Sequence, residues 1–171
     1  MKASQLNRGE YGHYYANYIS QAGEDDLLSC LEANLERMCS FYESIPDEKM
    51  DFSYAEGKWT IKELILHIID AERVFSYRAL RFARGDKTDL KGFEQDDYVI
   101  SSEAAKRSKT SLIDEYRSVR NSTITLYRSL DDKMLRHIGT ANNSPMSAAA
   151  LGFIIVGHEN HHARIIKDRY L

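Results

Sequence analysis

Proline and cysteine are scarce in this chain, with 2 of each among 171 residues, and valine is sparse as well. Two prolines, Pro46 and Pro145, leave long stretches free for helices, and so little valine argues against strands. Cys30 and Cys39 fall in a stretch of helical pattern, where the rise between them is about 13 Å, beyond disulfide reach. Neither has a second thiol two residues away, which argues against a redox or zinc-ribbon pair. Both read as reduced core residues, a lone reactive cysteine being the alternative. No apolar run approaches the roughly 18 residues that a membrane span needs, and the opening MKASQLNRGEYG lacks the apolar core of a secretory signal. A cytoplasmic protein with no membrane partner is expected. Nor does either sign of charge dominate: 23 basic and 26 acidic residues are mixed along the chain, for a formal net charge of -3. Without an electropositive footprint, nucleic acid is not an expected partner.

With 43% hydrophobic and 29% charged residues, the length suits one core, so residues 1–171 are expected to form a single domain. Apolar residues recur at three and four rather than at two, which predicts an all-α fold. A first helix capped by Asp25 or Asp26 should bury Leu27, Leu31, Leu35 and Met38 and end near Ile45, before Pro46. Tyr11, Tyr14, Tyr15 and Tyr18 precede it at helical spacing and are expected to form an aromatic-faced segment packed on the bundle, the alternative being a site lid or an interface. Thr60 with Glu63 is a capping box that opens a second helix running to about Arg84. Gly85 to Ser101 reads as a long crossover. Ser101 or Ser102 then caps a third helix reaching about Leu130, and Ser144-Pro145 offers a cap and a first helical position for the last one. Four long helices joined by extended links describe a four-helix bundle with long crossover connections.

The chemistry concentrates in histidine. In GHENHHARIIKDRYL, the face running through Leu151, Ile155 and Ile165 carries His158 and His162 inward, while His161 points about 100° away. Two imidazoles side by side in an apolar seam need a shared partner, either a metal ion or tyrosines and carboxylates across the bundle. His67, on the inward stripe of the second helix between Leu64 and Ala71, is the natural third ligand. Three histidines from two helices would leave coordination positions open for water or substrate, the arrangement of catalytic rather than structural metals. HENHH also spells H-E-x-x-H, but nine residues after His162 contain no histidine, and Ile165 stands at the metzincin glycine position. A di-iron bundle is disfavoured because Leu64, not glutamate, stands three before His67. Asp70, Glu72, Glu159 and Glu63 lie within a turn or two of the histidines and could accept the outer N–H of a ligating ring, the simpler reading being solvated faces or ion pairs; Arg78 and Arg81 could hold an anionic group or pair with other helices.

The helix WTIKELILHIIDAERVFSYRALRFARGD, the crossover with GFEQDDY and the ending IIVGHENHHARIIKDRYL resemble the DinB and YfiT-like metalloenzyme superfamily over nearly the whole chain. That resemblance implies a divalent metal held by His67, His158 and His162, taken as zinc or nickel, less often manganese or iron, and frequent homodimers. It further implies a small-molecule substrate, with relatives that include S-transferases and an isomerase using low-molecular-weight thiols, and others described as metal-dependent hydrolases. The expected function is a metal-dependent enzyme that activates a thiol or water against a small electrophile. The alternatives are a non-catalytic metal- or ligand-binding bundle, with stress response as one setting for it, and a metal-free interaction bundle.

Overall fold

A computed structural model describes residues 1–171. After a short α1 (Ala16–Ile19), the first long helix is α2 (Leu27–Ser44), with the Asp26 side chain accepting from the Ser29 N–H. Next comes α3 (Ile61–Ala83), where Glu63 N donates to Thr60 Oγ1 at 3.2 Å and Thr60 N donates to the Glu63 carboxylate at 2.7 Å. These two helices begin at the expected caps and end within a residue of the expected stops.

The third long helix, α5 (Lys109–Arg128), starts later than Ser101 or Ser102. Its cap is Ser108, which accepts from Ser111 N at 3.1 Å. Before it the chain forms α4 (Gln95–Ser101) and then turns at Glu103, whose left-handed φ of 51° no helix can contain. Ser144-Pro145 does not open the last helix either. After α6 (Asp132–Leu135), β1 (Ile138–Ala141) and β2 (Ser144–Ser147) pair antiparallel, Thr140 opposite Pro145. The turn between them places Asn142 and Asn143 at φ 50° and 57°, the two positive values a type I′ hairpin requires and asparagine tolerates. Ser147 is the true cap of α7 (Ala148–Arg169), accepting from Ala150 N at 3.0 Å.

The four long helices close a ring in which α2 packs on α5, α5 on α3, α3 on α7 and α7 on α2. Two pairs of long helices consecutive in sequence, α2 with α3 and α5 with α7, therefore face each other across diagonals, the second pair joined by the link that carries the hairpin, whereas the link that carries α4 joins the neighbours α3 and α5. Leu31, Ile65, Leu112, Tyr116 and Phe153 fill the centre. The first half of α7, Ala148 to Glu159, is buried on all sides because α1 covers the flank that α2 and α3 leave. Cys30 and Cys39 are both buried and unpaired.

One ionic cluster ties all four helices. Fully buried Arg120 on α5 donates to both carboxylate oxygens of Glu72 on α3, at 2.9 Å each, and to Glu159 Oε2 on α7 at 3.1 Å. Asn34 Nδ2, on α2, donates to the same Glu159 oxygen at 2.7 Å. Glu72 and Glu159 are thus interior groups rather than solvated ones, a correction that follows from the arginine between them. Removing that arginine would strand two carboxylates in a low-dielectric interior. Arg120→Met is expected to destabilise the fold by about 3–5 kcal/mol in urea unfolding; a loss below about 1 kcal/mol would show that the cluster is dispensable.

Candidate metal centre

His67 sits in the second turn of α3, and His158 and His162 stand one turn apart on α7, the helix against which α3 packs. The three rings meet through their Nε2 atoms. His67 Nε2 lies 3.2 Å from His158 Nε2, which lies 3.1 Å from His162 Nε2, and one ring nitrogen from each residue falls within 4.8 Å of the others. His67 and His158 are 5% and 7% exposed and His162 is partly buried.

These nitrogens cannot satisfy one another. A neutral imidazole nitrogen either donates one proton or offers one lone pair, so His158 Nε2 can bond only one of its two neighbours. A cation can accept a lone pair from all three. With metal–nitrogen bonds of about 2.0–2.1 Å, ligand nitrogens stand roughly 2.8–3.4 Å apart for angles between octahedral and tetrahedral, a range that holds the spacing His158 keeps to both partners. The donor set therefore fits one divalent ion.

Burial also keeps the rings in the form that binds metal. It drives His67 down to about 4, against the attraction of Asp96. Burial, followed by the neighbouring His67 and His161, takes His162 to about 3, and His158 falls well below the ordinary range, again through burial first. All three are neutral near pH 7, with no protons to expel before a metal can bind.

Aromatic rings fix the orientation. Trp59 packs on His67 with centroids 4.8 Å apart, and Tyr18 and Phe75 lie 5.3 and 6.1 Å from His158. Gly157 permits the Tyr18 contact, since a Cβ there would stand 1.7 Å from the Tyr18 carbonyl oxygen. Tyr14, Tyr15 and Tyr18 border a cleft of about 260 Å³ that reaches His67 and His158, so the aromatic segment lines the site. Tyr11 instead makes a backbone bridge to Met146. A second cleft, of about 300 Å³, reaches His162 between Trp59 and Tyr170.

The carboxylates near in sequence are engaged elsewhere. Glu63 caps α3, Asp70 meets Arg73 at 3.3 Å, and Glu72 and Glu159 serve Arg120. Glu159, the glutamate of H-E-x-x-H, thus faces away from the imidazoles. His161 packs against Tyr18 outside the trio, and Arg81 is tied to Asp86 and Tyr77. The acid that does approach is Asp96 on α4, which borders both clefts and acts on the charge of His67. Sequence reasoning left it inside the crossover; GFEQDDY marked the segment but not the residue.

This combination, a helical bundle with three histidines converging from two helices, places the chain in a defined class. Residues 31–166 match the DinB superfamily, and the chain belongs to that superfamily. A curated protein of Oceanobacillus iheyensis named "Putative metal-dependent hydrolase" is 26% identical over 144 residues, covering 83% of this chain and 82% of the relative. Among solved structures, YfiT of Bacillus subtilis, described as "a probable metal-dependent hydrolase with an unusual four-helix bundle topology", matches with a TM-score of 0.71 at 15% identity, over 95% of this chain and 90% of that one. A DinB-like protein of Bacillus subtilis, YjoA, matches with a TM-score of 0.59 at 16% identity, over 84% and 87% of the two chains. Those two structures support the four-helix-bundle fold.

The depressed histidines set a pH dependence for the metal-free protein. Between 6.5 and about 4 for His67, or about 3 for His162, the unfolded chain takes up protons that the folded chain refuses. Stability therefore rises with pH through this window and is lost as pH falls through it. Urea midpoints of chelator-treated protein should decline from pH 6.5 toward pH 4, and replacing all three histidines by glutamine should flatten the slope; an unaltered slope in that variant would contradict the assignment.

Proposed function

We propose that His67, His158 and His162 hold one divalent metal ion, zinc or nickel before manganese or iron, in a hydrolase acting on a small electrophilic molecule. The close approach of three neutral imidazole nitrogens, two of them on buried residues and one on a partly buried residue, carries this reading. All-nitrogen coordination suits zinc and nickel, and three protein ligands leave room for water or substrate. A bound divalent ion supplies Lewis acidity, which polarises an electrophile and brings the pKa of water toward neutrality.

The chain's own residues do the rest. Trp59, Tyr18 and Phe75 hold the imidazoles in orientation and keep bulk water from their faces. Asp96, on the rim shared by the two clefts, is placed to take the proton that an attacking water releases. The names carried by the Oceanobacillus relative and by YfiT favour water as the nucleophile; a low-molecular-weight thiol is the second nucleophile that such a centre could activate.

Elemental analysis tests the ligand set. The wild type should carry about one ion per chain, and His67→Ala, His158→Ala and His162→Ala should each lose it; full metal content in all three variants would reject the assignment. Asp96→Asn should retain the metal yet hydrolyse p-nitrophenyl esters at least about 10²-fold more slowly. If Asp96→Asn loses the metal, Asp96 is a ligand and not a base; if its rate is unchanged, it is neither.

A further inference from the structure

Two arginines are buried in this protein, and only one has a counter-ion. Arg120 lies between Glu72 and Glu159; burial opposes its charge, but the two carboxylates overcome that and raise its pKa well above the usual value. Arg78, 3% exposed on α3, has no such partner. Its Nη2 donates to the Lys91 carbonyl at 2.9 Å, and of the groups acting on it only the Tyr15 hydroxyl opposes burial, so its pKa is lowered. A buried guanidinium remains charged and has five donors to satisfy, so leaving it without an anion is costly.

The open side of Arg78 is the cleft that reaches His67 and His158. His67, Ala71, Phe75 and Arg78 follow at steps of four, four and three, so they share one face of α3. Eleven residues of rise separate the two backbone positions by about 16 Å, and the arginine side chain, longer than the histidine, leans back further toward the N-terminus, which shortens the gap. Ala71 contributes only a methyl group and leaves the space between them open. Phe75 is the spacer, with its ring 5.9 Å from the Arg78 guanidinium carbon and 6.1 Å from the His158 ring. Tyr15 packs edge-on against Phe75 at 6.4 Å. Glu94 and Asp96 border the same cleft but are solvent-exposed, so they disfavour polyanions without neutralising the guanidinium.

We propose that Arg78 is the anion-binding subsite of this cleft, and that the molecule it receives is a monocarboxylate whose apolar middle lies along Phe75 and Tyr15 and whose far end reaches the histidines. The guanidinium fork matches a carboxylate in two parallel hydrogen bonds, which no neutral isostere can reproduce. This deepens the hydrolase reading by naming a substrate class, while the unpaired charge itself does not depend on the metal.

Calorimetry of the full chain with phenylacetate and its neutral isostere phenylacetamide, with and without added zinc, is the test. Phenylacetate should bind at least about tenfold tighter in both conditions, with affinity falling as salt rises. Arg78→Met should lose that preference and Arg78→Lys should keep part of it. Equal affinity for the two probes, a preference that survives Arg78→Met, or one that appears only with zinc would overturn the proposal. Should Arg78→Met fail to fold, the Arg78 side-chain Nε–H resonance of the wild type decides: it should shift on adding phenylacetate, and an unmoved resonance rejects the subsite. Metal content of the histidine variants tests the metal reading separately, so either can fail alone.

Discussion

The alignment of α3 with α7 depends on a single buried guanidinium. Arg120 bonds Glu72, five residues beyond His67, and Glu159, the residue after His158. Steps of five and one turn these carboxylates about 140° and 100° around their helices from the histidines, so they can face α5 while the imidazoles face each other. Sliding α7 by one turn, about 5.4 Å, would break the Glu159 contact and separate His158 from His67 together. Buried ion pairs seldom add net stability over an apolar core, because desolvation offsets their attraction. What this cluster contributes is register, since every other alignment leaves charged groups without partners in the interior.

The same interior acts in opposite ways on its polar groups. Carboxylates and guanidinium remain tolerable where they meet, and burial pushes the Glu159 carboxyl up despite Arg120. The histidines need no counter-ion because burial keeps them neutral, yet neutrality leaves three inward-facing nitrogens competing for too few protons. Their outer edges bring little relief: His162 Nδ1 is buried with no protein acceptor. Ligating histidines are usually braced there by a carboxylate or carbonyl, so in this site orientation falls chiefly to the aromatic rings around them. That makes the N-terminal segment bearing Tyr18 a part of the site, held close by the missing side chain of Gly157.

Much of this was legible in the residues. The Thr60–Glu63 box, the inward stripe of α7 and the position of His67 on α3 are local, periodic signals, and the structure brings the three expected histidines together. The misread boundaries each turn on backbone sign rather than composition. Residues Ala104 to Arg107 favour helix, but Glu103 at positive φ separates them from α4, and the periodic apolar pattern begins only at Leu112. The adjacent asparagines at 142 and 143 were the visible hairpin signal, outweighed by a serine and proline that imitate a helix start. Arg120 was hidden for a different reason. It follows Tyr116 by four and precedes Thr123 by three on the buried face, and one chain of sequence does not say that two acids from other helices await it.

H-E-x-x-H shows why local pattern stops short of chemistry. Its two histidines stand on one face of α7 and converge, as the spacing requires. Its glutamate, one residue along, points to whatever lies on the adjacent flank. In a metalloprotease that flank is solvent and substrate, and the carboxylate can serve as base. Here α2 and α5 occupy it, and Asn34 and Arg120 claim Glu159 Oε2. The motif therefore divides into two unrelated jobs, a nitrogen pair for the cleft and a carboxylate for the core. The acid that favours the protonated form of His67 comes from α4, a segment that the helical periodicity had assigned to a connecting link.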